Sequence, residues 1–383
     1  MLSVDSVQSL KRDEGIEVVW ENESRARFHA VWLRDHAPDK DTLAPGNGQR
    51  LIRVQDIPAD VRIEAVSRKD DGKISVTFGP ENKTVAFDAD WLWANRYDRP
   101  ELASRAPGWT RKEVVRWGSE LEPELPVESF EKAREQGVEL YRWLRDVDRY
   151  GVAKMVDMPV ESGAICQVVD LFGFVRETNY GRYFEVRTEV NPVNLAYTGL
   201  GLQVHTDNPY RDPVPTLQLL SCLDNSVEGG DSVVVDAFKA VEVLREEAPQ
   251  KFDLLAGYPA CYTYAGAADV YLASKRPMIE LGPDGELKAV RFNNRSIGPL
   301  TEIPFDKMAA YYDAYRHLAE IVERAELQVT FKLKPGELFI VDNTRVLHGR
   351  VAYEGSGSRW LQGCYADTDS LRSKLATLHQ EWG

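Results

Sequence analysis

The sequence predicts a mainly β protein with supporting helices: a jelly-roll core preceded by a small N-terminal β-rich domain. Three observations carry this. Residues 1–98 read as strands in pairs around polar turns, proline and glycine break the pattern over 99–126, and short strands interspersed with helices fill 127–383.

In the first part, Glu17–Trp20 and Phe28–Leu33 flank a polar turn and suit a hairpin. Ile74–Phe78 and Thr84–Phe87 flank Gly79-Pro80-Glu81-Asn82 and suit a second, after which Asp90-Trp91-Leu92 opens a short helical end. Pro100, Pro107, Gly108, Pro123 and Pro126 then interrupt any regular element, which makes 99–126 a linker. Trp109 and Trp117 favour a linker packed onto the protein, since indole rings are costly to leave in water. Beyond it, Ser129–Arg149 has near-helical apolar spacing, weakened by Gly137. Strands are expected at 151–156, 216–222, 232–236, 289–292, 327–333, 338–341 and 360–365, and helices at 238–247 and 305–326.

The chain has 383 residues, 43% of them hydrophobic, enough for more than one core. Its formal charge of −14 repels phosphate backbones and anionic membranes, so neither nucleic acid nor membrane is an expected partner. No window approaches the roughly 18 apolar residues of a membrane span. The start, Met1 to Ser6, lacks the basic and apolar run of a secretion signal. Cys166, Cys222, Cys261 and Cys364 form no CxxC pair and read as reduced core thiols of a cytoplasmic protein.

His205-Thr206-Asp207 is the most informative tripeptide. In an extended segment residues i and i+2 share a face, so this imidazole and carboxylate can meet one metal ion. His348, beyond the expected strand 338–341 and the loop Asp342–Arg345, is the best third ligand. Two imidazoles and one carboxylate leave coordination positions open, which suits an Fe(II) oxygenase. Arg359, eleven positions further on, can clamp a carboxylate from a neighbouring strand. A 2-oxoglutarate-using oxygenase needs such a group.

Arg176–Gly181, Asn194–Thr198, His205–Asp207, Gly229–Ser232, Asp342–His348 and Arg359–Tyr365 together make the chain resemble the γ-butyrobetaine dioxygenase family, within the taurine-dioxygenase-like group. The resemblance spans nearly the whole chain. It implies a double-stranded β-helix binding Fe(II), 2-oxoglutarate and O₂, commonly in a homodimer. It also implies C–H hydroxylation coupled to conversion of 2-oxoglutarate into succinate and CO₂. The family's N-terminal domain usually carries a zinc site of three cysteines and a histidine. Here Trp32-Leu33-Arg34-Asp35 is followed by no cysteine before Cys166, so no structural zinc is expected.

The resemblance also implies a trimethylammonium cage. Tyr180, Phe184, Tyr197 and Tyr365 match cage positions, while Arg187 stands where animal relatives are aromatic. A quaternary ammonium has no N–H to donate, so ring faces are its natural partners. Asn194 matches a position that contacts the substrate's anionic end. Asn208 stands where a bulkier residue is usual, and Arg295 follows Asn293 and Asn294 in a segment reaching the anion pocket. An added cation and donor suit a tetrahedral dianion better than a planar carboxylate. The expected substrate is therefore 2-(trimethylammonio)ethylphosphonate, with γ-butyrobetaine the alternative and a catalytically inactive betaine-binding sensor the alternative of another class.

Overall fold

The computed structural model describes residues 3–98, 114–187, 201–267, 269–354 and 357–383. Internal contacts divide the chain into two units, Met1–Gly108 and Trp109–Gly383.

The first unit holds two three-stranded meanders. One joins β1 (Val4–Ser9), β2 (Gly15–Trp20) and β3 (Arg25–His29); the other joins β4 (Arg62–Arg68), β5 (Ile74–Gly79) and β6 (Lys83–Phe87). Alternate apolar residues of both, among them Trp20, Phe28, Ile74, Phe78 and Phe87, share one core. The expected strand Phe28–Leu33 is shorter than its sequence suggests. The chain turns helical over Ala30–Asp35, where Ala30, Leu33 and Arg34 are buried at helical spacing. Buried Arg34 forms a paired contact with Glu81 at 2.7 and 2.8 Å. The helix Ala89–Ala94 begins at Asp88, whose side chain accepts from the backbone N–H groups of Asp90 and Trp91.

In the second unit two sheets face each other. The larger orders β7 (Val127–Ser129), β8 (Val152–Val156), β19 (Leu338–Asp342), β11 (Leu217–Asn225), β22 (Arg359–Ala366) and β9 (Phe184–Arg187). The smaller orders β10 (Leu202–His205), β20 (Val346–Arg350), β13 (Ser232–Asp236) and β18 (Gln328–Phe331). Cys222, Phe339, Val341 and Leu361 of the first pack against Val234, Val329 and Val346 of the second. This is the jelly-roll arrangement of a double-stranded β-helix. Trp117, inside the stretch expected to link the domains, is buried and donates its indole N–H to the Tyr150 carbonyl at 2.7 Å.

Helices cover both outer faces. Val138–Tyr150, Ile165–Asp170 and Thr368–Trp382 close over Leu217, Leu219, Cys364 and Ala366. Ala237–Glu247, Pro249–Gly257 and Phe305–Val322 close over Val233, Val235 and Leu347. The expected helix 129–149 is broken at Gly137 into Phe130–Ala133 and Val138–Tyr150. Period two then decides the site. With Leu217 and Leu219 facing outward, Gln218 and Leu220 face the cavity between the sheets. Likewise Arg359, Leu361 and Tyr365 face inward while Cys364 and Ala366 face the helices. Two short ladders complete the unit, β12 (Glu228–Gly229) with β21 (Tyr353–Glu354) and β16 (Ile279–Leu281) with β17 (Leu287–Val290). A longer hairpin, β14 (Pro259–Ala267) with β15 (Val270–Pro277), brings Thr263 to Gly266 to the cavity.

Candidate active site

Between the sheets lies a cavity of about 440 Å³ whose wall includes His205, Asp207 and His348. The antiparallel pair β10–β20 sets His205 directly opposite His348, and their ring centroids are 4.5 Å apart. Asp207 lies just past the end of β10. Its Oδ1 is 3.3 Å from His205 Nε2 and 4.0 Å from His348 Nε2. The three ligand atoms all lie within 4.8 Å of one another.

Asp207 is fixed from both ends. Its backbone N–H donates to Asn343 Oδ1 at 2.7 Å, while Asn343 Nδ2 donates to its carbonyl at 2.9 Å. Its carboxylate Oδ2 accepts from Gln218 Nε2 and from the Tyr365 hydroxyl, both at 2.8 Å. Upstream of His348, buried Arg345 donates to Asp236 and to the Arg149 carbonyl, which pins the turn into β20.

The donor set fits a ferrous ion. His205 Nδ1–H donates to the Gln203 carbonyl at 2.7 Å, leaving the Nε2 lone pair facing the cavity. Burial holds the His205 imidazolium below its usual range, with the Arg295 charge adding to the effect. Burial and the neighbouring His205 push His348 down to about 3, so both rings are neutral and able to ligate at neutral pH. Burial alone would raise the Asp207 carboxyl, but the close contact with His205, the nearby His348 and the Arg295 charge hold it well below the carboxylate range. Two neutral imidazoles and one carboxylate make a three-ligand face with open positions.

Arg359 reaches the same cavity from β22 and is 7% exposed. Gly230, with φ +71°, admits it; a Cβ there would lie 3.3 Å from the Arg359 side chain. Burial and the charge of Arg350 lower the guanidinium to about 10, still protonated at neutral pH. Its Nε is buried without a partner among the described residues. Arg350, equally buried, lies two residues after His348 on the same face of β20, and the Tyr353 ring lies 4.9 Å from its guanidinium and 5.8 Å from that of Arg359. Two adjacent buried cations make this end of the cavity suited to an anion.

Aromatic rings form another wall. Tyr180 and Phe184 are 6.0 Å apart, Phe184 and Tyr365 5.2 Å. Gly363 makes room for Phe184, since a Cβ there would fall 2.4 Å from its ring. Tyr210 and Tyr264, which sequence reasoning does not single out, extend the cluster, stacked at 5.0 Å. The Tyr210 hydroxyl donates to Asn208 Oδ1, so in its 2.8 Å contact with Tyr180 the Tyr180 hydroxyl is the donor. Asn208 adopts φ +53°, a left-handed conformation that asparagine tolerates and bulkier residues resist. Its Nδ2 is buried without a partner among the described residues, in the cavity wall.

Not every expected residue reaches the cavity. Asn294 is outside its wall and accepts from the Tyr315 hydroxyl. Asn293 lines it, but its amide is engaged with backbone: Nδ2 donates to the Thr206 carbonyl and Oδ1 accepts from the N–H groups of Arg295 and Ser296. Arg187 is outside the wall too, with its guanidinium over the Trp360 ring at 5.8 Å. Arg295 turns inward, its Nη2 donating to His205 Nε2 at 2.6 Å. Asn194 and Tyr197 lie outside the described residues. Gln218, Arg350 and Asn343 carry signals that spacing alone could have raised. Gln218 is a polar residue among Leu217, Leu219 and Leu220, Arg350 is two residues from a ligand on a strand, and Asn343 follows a strand end.

Residues 112–365 match the family model described as taurine catabolism dioxygenase TauD, TfdA family. Residues 7–93 match that of the γ-butyrobetaine hydroxylase-like N-terminal region. The chain is 34% identical over 367 residues to the γ-butyrobetaine dioxygenase of Pseudomonas sp. (strain AK-1), spanning 96% of this chain and 94% of the relative. It is 30% identical over 384 residues to the human γ-butyrobetaine dioxygenase, spanning 99% and 98%. It is 29% identical over 361 residues to the mitochondrial trimethyllysine dioxygenase of Rattus norvegicus, spanning 92% and 83%. With its two-histidine, one-aspartate face between the sheets, the chain belongs to the γ-butyrobetaine dioxygenase family of TauD/TfdA-type oxygenases and is a 2-oxoglutarate-dependent dioxygenase that uses Fe(II) and O₂.

Proposed function

We propose that the enzyme hydroxylates a small trimethylammonium zwitterion, with 2-(trimethylammonio)ethylphosphonate as its substrate and the carbon beside phosphorus as the site of attack. The relatives are named for γ-butyrobetaine and trimethyllysine, both of which carry a trimethylammonium group. The rings of Tyr180, Phe184 and Tyr365 offer faces for such a cation, worth about 2 kcal/mol or more when desolvated.

The observation that carries the phosphonate is Arg295. Its guanidinium enters the cavity and lies against His205 Nε2, the atom a metal ion would take, so a cation stands beside the metal face. Asn208 Nδ2, buried close to Asp207, adds a neutral donor. A cation and an amide N–H favour a tetrahedral dianion over a carboxylate.

When bound, ferrous ion supplies the O₂ chemistry that turns 2-oxoglutarate into succinate and CO₂ and hydroxylates a C–H bond. His205, Asp207 and His348 would hold it. Arg359 would take the distal carboxylate of 2-oxoglutarate, which orients the keto acid toward the ligands. The ring wall would hold the trimethylammonium group and Arg295 with Asn208 the anion, so the carbon between the two groups is presented to the metal face. Holding both ends supplies orientation and keeps water out. A homodimer belongs to the same proposal, on the family resemblance.

Succinate formation with each substrate tests this reading. The phosphonate should be turned over with the higher kcat/KM; a strong preference for γ-butyrobetaine rejects it. Arg295→Leu should cost about ten- to a hundredfold in kcat/KM on the phosphonate, the size of a lost hydrogen bond to a charged group. The loss on γ-butyrobetaine should be smaller; equal losses would mean that Arg295 does not read the anion. Should both betaines bind without 2-oxoglutarate decarboxylation, the sensor alternative takes over.

A further inference from the structure

We propose that Gln218 and Tyr365 act as a pair of positioning residues that present Asp207 to the metal through a single oxygen. The inference rests on His205, Asp207 and His348 being the metal ligands. Gln218 on β11 and Tyr365 on β22 are register partners, directly opposite each other in the ladder. Both face the cavity, at 2% and 4% exposure. Their donor groups converge on the same atom, Asp207 Oδ2, at 2.8 Å each.

The proton inventory settles which way each group points. A carboxylate only accepts, so the Gln218 contact must come from its NH₂ end. The Tyr365 contact must likewise come from its O–H, since a carboxylate oxygen offers no proton in return. With two donors on Oδ2, that oxygen is turned toward the larger sheet. Oδ1 is left facing His205 Nε2 and His348 Nε2 at 3.3 and 4.0 Å. One carboxylate oxygen and two imidazole nitrogens would hold the metal, which would leave positions on it for 2-oxoglutarate and O₂.

Packing alone does not explain Gln218. Its neighbours along the strand are Leu217, Leu219 and Leu220, and its Oε1 is buried with no partner among the described residues. An apolar residue of the same shape would avoid leaving that acceptor unsatisfied. The amide is therefore retained for its donor end. Outer hydrogen-bond partners of metal ligands generally matter in this way, because they fix ligand orientation.

The test measures binding of Mn(II) alone to the metal-stripped, full-length protein by electron paramagnetic resonance, without turnover. Gln218→Met keeps the shape and removes the amide, and Tyr365→Phe keeps the ring and removes the hydroxyl. Each should weaken Mn(II) binding about ten- to a hundredfold and alter the spectrum of the bound ion, with the melting temperature of the metal-free protein close to the parent's. Mn(II) affinity within about twofold of the parent in either folded variant, with an unchanged spectrum, overturns the proposal. If Gln218→Met does not fold, Tyr365→Phe decides alone. Failure of the parent itself to bind Mn(II) would instead overturn the ligand assignment on which the pair depends.

Discussion

Alanine in place of Asp207 should abolish both metal binding and turnover. The carboxylate is the one anionic ligand in the set, and it lies within 3.3 and 4.0 Å of the two imidazole nitrogens. Removing it leaves two neutral nitrogens, and it strands the Gln218 and Tyr365 donors that now end on its Oδ2. Loss of an outer partner alone costs roughly 10- to 100-fold in metal affinity. Loss of the ligand should exceed the upper end of that range. Titration of the metal-stripped protein with Fe(II) under anaerobic conditions, alongside succinate formation, measures both effects. A variant that still forms succinate at a tenth of the parent rate would mean that the metal is held elsewhere.

The second large effect is expected at Arg359. Leucine there removes one of two adjacent buried cations from the cavity and with it a donor pair suited to a carboxylate. Truncating one side of a buried charged pair costs about 2–5 kcal/mol, which is roughly a 30- to several-thousand-fold rise in KM for 2-oxoglutarate. A shorter 2-oxo acid without the distal carboxylate, such as 2-oxobutanoate, should support weak turnover equally in parent and variant. That comparison separates a lost carboxylate clamp from general damage. An unchanged KM for 2-oxoglutarate would place its distal carboxylate elsewhere, with Arg350 the next cation to examine.

The jelly-roll core was readable because each strand carries its own phase. Leu217, Leu219, Cys364 and Ala366 announce an outer face, so their neighbours must point inward. Helix 305–322 shows likewise in its apolar spacing, and the break at Gly137 follows from the poor helix propensity of glycine. Phe28–Leu33 misleads for an equally local reason. Its first residues alternate as a strand does, and only the burial of Ala30, Leu33 and Arg34 on one side shows where helical spacing takes over. The hairpin β14–β15 escapes notice because PACYTYAGA and VYLASKRP lack a clean alternation of apolar and polar residues.

Sequence by itself determined the chemistry on offer: the HxD tripeptide, a distant histidine, a clamp arginine and a set of aromatic residues. It could do so because donor identity and the i, i+2 geometry of a strand are local properties. Only the tertiary structure decided who meets whom. Register between β10 and β20 sets His205 opposite His348, and register between β11 and β22 sets Gln218 opposite Tyr365. The same folding turned Asn294 toward Tyr315 and Arg295 toward His205, although the two are neighbours in the chain. Strand pairing and burial between sheets are long-range choices, made by the combined packing of two faces, and no single segment carries them.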